Sequence, residues 1–302
     1  MKLKDLKQKF HEHLDAIYGK EEVQTFFFML TEYYNAIKRI DLALITELTI
    51  EDDFVLKYES ALEALKNHEP IQYIIGQTEF YGLPFYVNEN TLIPRPETEE
   101  LVELILSNTT ANSIPMLEEG DNKFNILDIG TGTGCIAISL AKQLPNANVS
   151  AIDVSAKALE IANKNAELNQ VDINFIENDI LKICDSELDS ATKFDIIVSN
   201  PPYVRQLEKK QMQDNVLNHE PHLALFVDDE NPLIFYRAIT QFATRNLKPN
   251  GELYFEINEY LGKEMMALLE AFGFKNIKLK QDIFGKDRMI CGLKNKEKVT
   301  IQ

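Results

Sequence analysis

The chain has 302 residues, 45% of them apolar and 26% charged, with 48 acidic residues against 31 basic ones and a net charge of −17. This composition indicates a soluble globular protein with room for one large and one small domain. The acidic excess argues against a nucleic acid as the main substrate, because phosphate binding normally requires a basic surface. We therefore expect a protein or small-molecule partner.

The sequence also argues against a membrane protein and against an exported one. No apolar run approaches the roughly 18 residues of a membrane span, and the charged residues 1–7 are not followed by the apolar core of an export signal. Three widely spaced cysteines (Cys135, Cys184 and Cys291) form no CxxC motif and are typical of thiols in a reducing compartment. We expect a cytoplasmic protein, and its compact layout and acidic surface favour a monomer.

Apolar residues of the N-terminal segment recur every three or four positions, as in amphipathic helices. The first stripe consists of Leu3, Leu6, Phe10, Leu14 and Ile17. One glycine and no proline precede Pro70. We predict a compact domain of three to five helices over residues 1–70.

Residues 71–95 follow a different pattern, in which apolar residues approach every second position. Gly76 is a turn signal, and Phe80 and Phe85 fit the two strands of a β-hairpin. We predict that this hairpin connects the helical domain to a second domain over residues 96–302.

Short apolar runs alternate with amphipathic segments in the second domain. The predicted strands cover 124–129, 149–152, 173–176, 194–198 and 253–257, and the predicted helices cover 136–143, 156–168, 233–246 and 262–272. This alternation predicts an α/β fold with a mostly parallel sheet and helices on both faces. Two later apolar runs, 277–279 and 289–293, predict an antiparallel hairpin at the sheet edge.

A glycine-rich turn follows the first predicted strand of this domain. It comprises Gly130, Thr131, Gly132, Thr133 and Gly134. Glycines permit positive φ angles and a close approach of a ligand to the backbone, although a plain strand–helix turn also uses them. Asp153, which ends the next predicted strand, can accept hydrogen bonds from both hydroxyls of a ribose. Together they predict a nucleoside cofactor, and the G-x-G-x-G spacing favours S-adenosylmethionine over NAD without excluding NAD.

The third predicted strand is followed by Asn178, Asp179 and Ile180. Asp179 is placed to accept a hydrogen bond from an adenine amino group, and Ile180 is placed to cover the ring. Asp179 is equally suited to cap a helix, so both interpretations stay open.

The segment Asn200-Pro201-Pro202-Tyr203 follows the fourth predicted strand, at the same edge of the sheet as the glycine turn. Two prolines fix two φ angles and remove two backbone donors, so the carbonyls of this turn can accept hydrogen bonds from a ligand. The Asn200 side-chain oxygen and the Pro201 carbonyl can each accept one hydrogen of a planar NH2 group and aim its nitrogen at a methyl donor. Tyr203 would pack against that group. We predict that these four residues bind the substrate and are catalytic in a nitrogen methyltransferase.

Two further features carry less information. The segment His219-Glu220-Pro221-His222 resembles a metal cluster, but its spacing fits no zinc pattern. We predict a solvent-exposed or lid loop there, and no metal site. Glu256, at the end of the fifth predicted strand, either orients the substrate loop or is a charge at the sheet edge.

With these residues described, the chain resembles the peptide chain release factor glutamine N5-methyltransferases of the PrmC/HemK family. The segments that carry the resemblance are 70–76 (PIQYIIG), 92–99 (LIPRPETE), the glycine turn, 200–203 (NPPY), 220–221 with 224–225, and 282–285 with Arg288. The resemblance implies a Rossmann-like class I S-adenosylmethionine-dependent methyltransferase fold, preceded by a small all-α domain that recognises the substrate. It implies methylation of the glutamine in the Gly-Gly-Gln loop of class 1 release factors, with S-adenosylhomocysteine as the second product and an effect on translation termination.

The resemblance also assigns roles to individual residues. It implies that the substrate is bound by Asn200 to Tyr203 together with Arg95. It implies that the cofactor is contacted by Gly130, Thr131, Gly132, Thr133, Gly134, Asp153, Asp179, Ile180 and Asn200. Two positions depart from the family: Ile180 stands where many relatives have tryptophan, and Asn258 replaces a usual glycine.

Two other methyltransferase classes compete with this interpretation. DNA adenine-N6 methyltransferases hold another planar NH2 group with the same Asn-Pro-Pro-Tyr segment, so this segment alone does not separate glutamine from adenine. The acidic composition argues against such an enzyme acting on DNA or RNA. The segment 93–99 argues against the related glutamine methyltransferases of ribosomal protein L3, which carry a different sequence there.

Overall fold

The computed structural model describes residues 1–42, 48–111, 124–183 and 193–295, so Cys184 lies outside the described residues. The chain divides into two compact units. A helical unit comprises Met1–Gln77 with Met212–His219, and a larger unit comprises Thr78–Gln211 with Glu220–Gln302. No helix within the described ranges is long and apolar enough to cross a membrane.

Helices and strands alternate along most of the larger unit, whereas the first part of the chain is helical. The helices are α1 (Leu3–Tyr18), α2 (Lys20–Asn35), α3 (Arg39–Leu42), α4 (Asp52–Lys66), α5 (Ile71–Ile75), α6 (Pro96–Ala111), α7 (Cys135–Gln143), α8 (Ala156–Asn169), α9 (Asp214–His219), α10 (Ile234–Asn246) and α11 (Gly262–Ala271). The strands are β1 (Gln77–Phe80), β2 (Leu83–Tyr86), β3 (Phe124–Ile129), β4 (Ala147–Asp153), β5 (Asn174–Glu177), β6 (Phe194–Ser199), β7 (Val204–Arg205), β8 (Phe226–Val227), β9 (Leu247–Glu256), β10 (Phe274–Gln281) and β11 (Asp287–Lys294). Two short 3-10 helices cover Gln206–Gln211 and His222–Ala224.

The helical unit buries the apolar stripes of α1, α2 and α4 against one another. Phe10 and Phe27 meet edge to face at 5.3 Å between ring centroids, and Tyr58 packs beside both. The Tyr58 hydroxyl donates to Asn35 Oδ1 at 2.7 Å, which satisfies this polar group inside an apolar core. The helical period in the sequence therefore corresponds to buried faces in the structure.

Residues 71–75 correct one expectation. The sequence pattern predicts a strand-like segment from residue 71 onward, but Ile71–Ile75 form helix α5 and the hairpin strands begin only at Gln77. Pro70 precedes the helix, where its missing donor costs nothing, and Gly76 ends the helix in a left-handed conformation at φ 75°. Pro70 and Gly76 mark the two ends of a helix. Their effect outweighs the apolar alternation of the residues between them, which is typical of a strand.

The larger unit contains a seven-stranded sheet in the order β10-β11-β9-β6-β3-β4-β5. Neighbours from β9 to β5 are parallel, whereas β11 is antiparallel to β9 and to β10. This arrangement confirms the predicted mostly parallel sheet with an antiparallel edge hairpin. The parallel strands all end at one edge, so the residues after β3, β4, β5, β6 and β9 are brought together there.

Both faces of the sheet are buried. Ile196 and Val198 of β6 pack in a core with α6 and α7, whereas Ile197 packs in a second core with α10 and α11. Since successive side chains of a strand point to opposite faces, a strand buried on both sides carries adjacent apolar residues, here Ile196 to Val198. This explains why β6 is recognisable in the sequence.

Candidate active site

A cavity of about 240 Å³ opens where the parallel strands end. Most of the predicted site residues line it: Arg95, Gly130, Thr131, Gly132, Thr133, Asp153, Asp179, Ile180, Asn200, Pro201 and Pro202. Gly134 and Tyr203 are not among the lining residues. The fold therefore brings the predicted cofactor turn and the predicted substrate segment into one cavity.

The three glycines of the turn after β3 have different neighbours. A Cβ atom built on Gly130 or Gly132, whose φ angles are 75° and 55°, would have no atom within 4 Å. A Cβ atom on Gly134 would lie 2.9 Å from Ile138 Cδ1 and 3.3 Å from Ala162 Cβ. The first two glycines thus leave room for a ligand at the backbone, whereas Gly134 permits close packing of α7 on α8. The predicted cofactor contact of Gly134 stays a prediction.

Asp153 is held rigidly at the end of β4 by backbone donors. Its Oδ2 accepts from the Gly132 amide at 2.8 Å, and its Oδ1 accepts from the Ser155 amide at 2.9 Å. Burial raises the pKa of Asp153, and these amide hydrogen bonds offset part of the effect. Each carboxylate oxygen can accept a second hydrogen bond, so the side chain can still bind a pair of hydroxyls in the cavity.

Asp128 lies beneath the glycine turn and was not singled out in the sequence. It is fully buried, and its Oδ2 accepts from the Thr131 hydroxyl at 2.6 Å. Burial raises the pKa of Asp128 to about 7; the Thr131 hydrogen bond opposes this shift and the nearby charge of Asp153 adds to it. The Asp128 carboxyl group thus connects the glycine turn to β3 through the hydrogen bond from Thr131.

Asp179 makes a local capping bond and lies at the cavity, and its contact with an adenine amino group stays a prediction. Its Oδ1 accepts from the Leu181 amide at 3.0 Å, as a local cap does, and it also lines the cavity beside Ile180. Burial acts to raise the pKa of Asp179, but the hydrogen bonds from Lys182 and the Leu181 amide outweigh it and the net pKa is lowered. The side chain therefore carries a negative charge that can accept a hydrogen bond from a ligand.

Asn200 is oriented by its amide nitrogen. Nδ2 donates to Thr98 Oγ1 at 3.2 Å, and Thr98 in turn donates to Glu256 Oε2 at 2.6 Å. Within the described residues, neither Asn200 Oδ1 nor the Pro201 carbonyl accepts a hydrogen bond. Both predicted acceptors are thus available to a ligand in the cavity.

Tyr203 is tied to the sheet edge by its two polar groups. Its hydroxyl donates to Glu256 Oε1 at 2.9 Å, and its carbonyl accepts from Asn258 Nδ2 at 3.1 Å. Burial and the negative charge of Glu256 raise the pKa of Tyr203 well above its usual value, so the hydroxyl stays protonated and remains a donor. The predicted contact of its ring with the substrate stays a prediction, and the structure shows instead that the residue braces the turn.

Arg95 reaches the cavity from the segment that precedes α6. It forms an ion pair with Glu220 Oε1, and Glu220 Oε2 accepts from the Ile93 amide at 3.2 Å. Glu220 is only 3% exposed, so the solvent-exposed alternative is wrong for this residue, whereas the lid alternative stays a prediction. A buried carboxylate needs a cationic partner, and this partner is 125 positions away, which is why the sequence did not reveal it.

The neighbouring histidines have structural partners of their own. His219 bonds to the Asn67 carbonyl at 2.9 Å, and His222 meets Phe226 edge to face at 5.1 Å. Among the residues that the structure describes, no group of three or more His, Cys, Asp or Glu side chains is arranged to hold a metal ion.

Comparisons with known proteins agree with this geometry. A family model described as PrmC N-terminal domain matches residues 12–76, and one described as Methyltransferase small domain matches residues 106–224. The release factor glutamine methyltransferase of Flavobacterium psychrophilum is 57% identical over 291 residues, which cover 96% of this chain and 98% of that protein. The chain belongs to the release factor glutamine methyltransferase family. The family member of Bacteroides thetaiotaomicron is 41% identical and covers 92% of this chain and 95% of its own length.

One solved structure is more distant. The 16S rRNA N2 G1207 methyltransferase RsmC of T. thermophilus aligns with a TM-score of 0.49 and 20% identity, covering 72% of this chain and 50% of that chain.

The residues of the cavity fit the methyl donor that a methyltransferase of this family uses. The open backbone at Gly130 and Gly132 can accept a close ligand, and Asp153 has spare acceptor capacity for a ribose. Ile180 lines the cavity and presents an apolar side chain to it. These features match a nucleoside cofactor.

Asn258, the other departure from the family, has a clear structural role. Besides the Tyr203 carbonyl, its Nδ2 donates to Glu208 Oε2 at 3.0 Å, and its Oδ1 accepts from the Tyr260 amide at 3.0 Å. A glycine at this position could make none of these side-chain bonds. In this member of the family, Asn258 therefore adds a support to the turn that follows Asn200.

Proposed function

We propose that this protein transfers a methyl group from S-adenosylmethionine to the side-chain N5 of the glutamine in the Gly-Gly-Gln motif of class 1 peptide chain release factors, and so modulates translation termination. The observation that carries this proposal is the shared cavity of Asn200, Pro201, Asp153 and the glycine turn. The name of the relatives, release factor glutamine methyltransferase, supports the choice of substrate.

The cofactor wall of the cavity consists of Gly130 to Thr133, Asp153, Asp179 and Ile180. Asp153 accepts the ribose hydroxyls, Asp179 accepts from the adenine amino group, and Ile180 covers the ring. When bound, S-adenosylmethionine supplies an electrophilic methyl group on a sulfonium and becomes S-adenosylhomocysteine after transfer. No described residue is needed as a metal ligand for this chemistry.

The substrate wall consists of Asn200, Pro201 and Pro202. An amide nitrogen is a poor nucleophile because its lone pair is delocalised into the carbonyl group. Asn200 Oδ1 and the Pro201 carbonyl each accept one amide hydrogen, which holds the nitrogen with its lone pair directed at the methyl group. Such alignment contributes on the order of several kcal/mol to a transfer. The nitrogen gains one N–C bond and releases one proton to solvent, since an N-alkylated amide cation is a strong acid.

The remaining roles concern recognition of the protein substrate. Arg95 lies at the cavity, where its cationic group, held by Glu220, can contact the loop that carries the glutamine. The helical domain, residues 1–70, binds the body of the release factor. The enzyme acts as a monomer in the cytoplasm without membrane contact, and its net charge of −17 disfavours direct binding of nucleic acid.

A methylation assay with labelled S-adenosylmethionine tests this function. The purified protein is incubated with a recombinant class 1 release factor, with ribosomal protein L3 or with DNA that contains unmethylated adenine. We expect label in the release factor and in neither of the other substrates.

A release factor with Gln→Ala in its Gly-Gly-Gln loop is the matched control, and we expect it to remain unlabelled. Label that appears in DNA alone would support an adenine-N6 methyltransferase, and label in L3 alone would support the related ribosomal enzyme. Either result would refute the proposed substrate.

A further inference from the structure

The orientation of the Asn200 amide depends on hydrogen bonds that lead away from the cavity to a buried carboxylate. Asn200 Nδ2 donates to Thr98 Oγ1 at 3.2 Å, and Thr98 donates to Glu256 Oε2 at 2.6 Å. Thr98 and Glu256 are 3% and 2% exposed. Water therefore has little access to this chain of bonds, and each donor needs its protein acceptor.

The Glu256 carboxylate determines which group donates and which accepts in each of these hydrogen bonds. A hydroxyl has a single hydrogen, and that of Thr98 is given to Glu256. The Thr98 oxygen can then only accept from Asn200, so the NH2 end of the Asn200 amide must face Thr98. The carbonyl end, Oδ1, must consequently face away from Thr98.

Glu256 is itself fixed from the other side. The Tyr203 hydroxyl donates to Oε1 at 2.9 Å, so both oxygens of Glu256 act as acceptors. The positive charge of Arg288 acts on both Tyr203 and Glu256, and Arg288 is anchored by Asp282 at 3.2 Å. Burial raises the pKa of Glu256, whereas the hydrogen bonds from Thr98 and Tyr203 and the positive charge of Arg288 act in the opposite direction. These three neighbours determine the position of the carboxyl group.

We propose that Thr98 and Glu256 are positioning residues that keep the Asn200 side-chain oxygen directed at the substrate amide. The proposal rests on the proposed function, since it explains why Asn200 presents an acceptor and not a donor to the reacting nitrogen. With the amide turned by 180°, an NH2 group would face the NH2 group of the substrate. The segment 92–99, which carries much of the resemblance to the family, thereby gains a role in catalysis through Thr98.

The matched variants Thr98→Val and Thr98→Ser test this role. Valine keeps the shape of threonine without the hydroxyl, so both orientations of the Asn200 amide become accessible, whereas serine keeps the hydroxyl. The cost of an unsatisfied polar group predicts a fall in kcat of about 10- to 100-fold for Thr98→Val. We expect Thr98→Ser to keep kcat close to that of the wild type, and both variants to bind S-adenosylmethionine with unchanged Kd by calorimetry.

A double-mutant cycle separates positioning from general destabilisation. Once Asn200 is alanine, no amide remains to be oriented, so Thr98→Val should cause no further loss of the residual rate. We expect Glu256→Gln to lower kcat in the same way, and Glu256→Gln combined with Thr98→Val to be no slower than the slower single variant.

Three results would overturn the proposal: wild-type kcat in Thr98→Val, an equal loss in Thr98→Ser, or an undiminished effect of Thr98→Val in the Asn200→Ala background. The rates are measured on whichever protein accepts label from the wild type. Failure of the wild type to methylate a release factor therefore counts against the proposed function, and an unaffected Thr98→Val counts only against the positioning role.

Discussion

The two walls of the cavity are built by different means. On the cofactor wall, backbone amides hold the side chains: Asp153 accepts from the Gly132 and Ser155 amides, and Asp179 accepts from the Leu181 amide. On the substrate wall, Asn200 is held by a side chain from a distant part of the sequence, Thr98, which is 102 positions away.

This difference separates two functions of the site. The cofactor wall relies mainly on backbone conformation, which a substitution can strain without changing the orientation of the reacting groups. The substrate wall relies on side chains that orient one another, so a substitution there changes the alignment of the nitrogen. We therefore expect changes in the first wall to affect cofactor affinity and changes in the second to affect kcat.

The largest expected effect is that of Asn200→Ala in the substrate wall. Loss of a preorganised contact to a reacting group typically lowers kcat on the order of 10²- to 10³-fold, and we expect that loss with little change in the Kd of S-adenosylmethionine. Asn178→Ala is the matched control, since Asn178 also lines the cavity and directly precedes Asp179 of the cofactor wall. It should weaken cofactor binding and leave kcat at saturating cofactor nearly unchanged; similar changes in both variants would contradict the division between the walls.

The next effect concerns stability and its dependence on pH. The pKa of Asp128 is about 7 in the folded protein against an ordinary value of 3.8 for the unfolded chain, so between these values the folded state holds a proton that the unfolded state has lost. Asp128 therefore makes the free energy of unfolding fall as pH rises from about 4 to about 7, with no further fall above. Asp128→Asn should remove this loss, which is on the order of a few kcal/mol.

Chemical denaturation of the wild type and of Asp128→Asn at several pH values checks this prediction. The free energy of unfolding of the variant minus that of the wild type should increase as the pH rises to about 7 and then stay constant. A difference that does not change with pH would show that the buried carboxyl is not the titrating group.

A smaller effect distinguishes two glycines of the same turn. Both Gly132 and Gly134 have positive φ, so alanine at either position costs about 1 kcal/mol in backbone strain. Gly134→Ala adds overlap with Ile138 and Ala162, so it should lower the free energy of unfolding by about 1 kcal/mol more than Gly132→Ala does. Gly132→Ala should weaken cofactor binding about tenfold. The Kd of S-adenosylmethionine by calorimetry and thermal unfolding of the two variants check this prediction. Weaker cofactor binding by Gly134→Ala together with lower stability of Gly132→Ala would refute it.

The smallest expected effect is that of Asn258→Gly, which installs the residue usual in the family. It removes the bond to the Tyr203 carbonyl and those to Glu208, and it should lower stability by about 1 kcal/mol. Because the hydrogen bonds from Asn200 to Thr98 and from Thr98 to Glu256 remain, kcat should fall less than threefold. This fall corresponds to an increase of about 0.6 kcal/mol in the activation free energy. A loss of kcat as large as that of Asn200→Ala would mean that Asn258 belongs to the substrate wall.

The same contrast explains how far the sequence could predict the structure. The first predicted strand, 124–129, coincides with β3, since its apolar residues Ile126, Leu127 and Ile129 pack on both faces of the buried sheet. The glycine turn and Asp153 were recognisable because their roles depend on local conformation. Thr98 as the partner of Asn200, and Glu220 as the partner of Arg95, were not predicted, because no spacing along the chain encodes a contact between distant segments.

The most direct measurement of the central claim is mass spectrometry of a class 1 release factor after incubation with the wild-type protein or with Asn200→Ala. We predict one added methyl group on the glutamine of the Gly-Gly-Gln motif with the wild type, and on the order of 10²- to 10³-fold less methylated product in the same time with Asn200→Ala, although that variant still binds S-adenosylmethionine. A methyl group on another residue, or equal methylation by Asn200→Ala, would contradict the claim that Asn200 holds the glutamine amide for transfer.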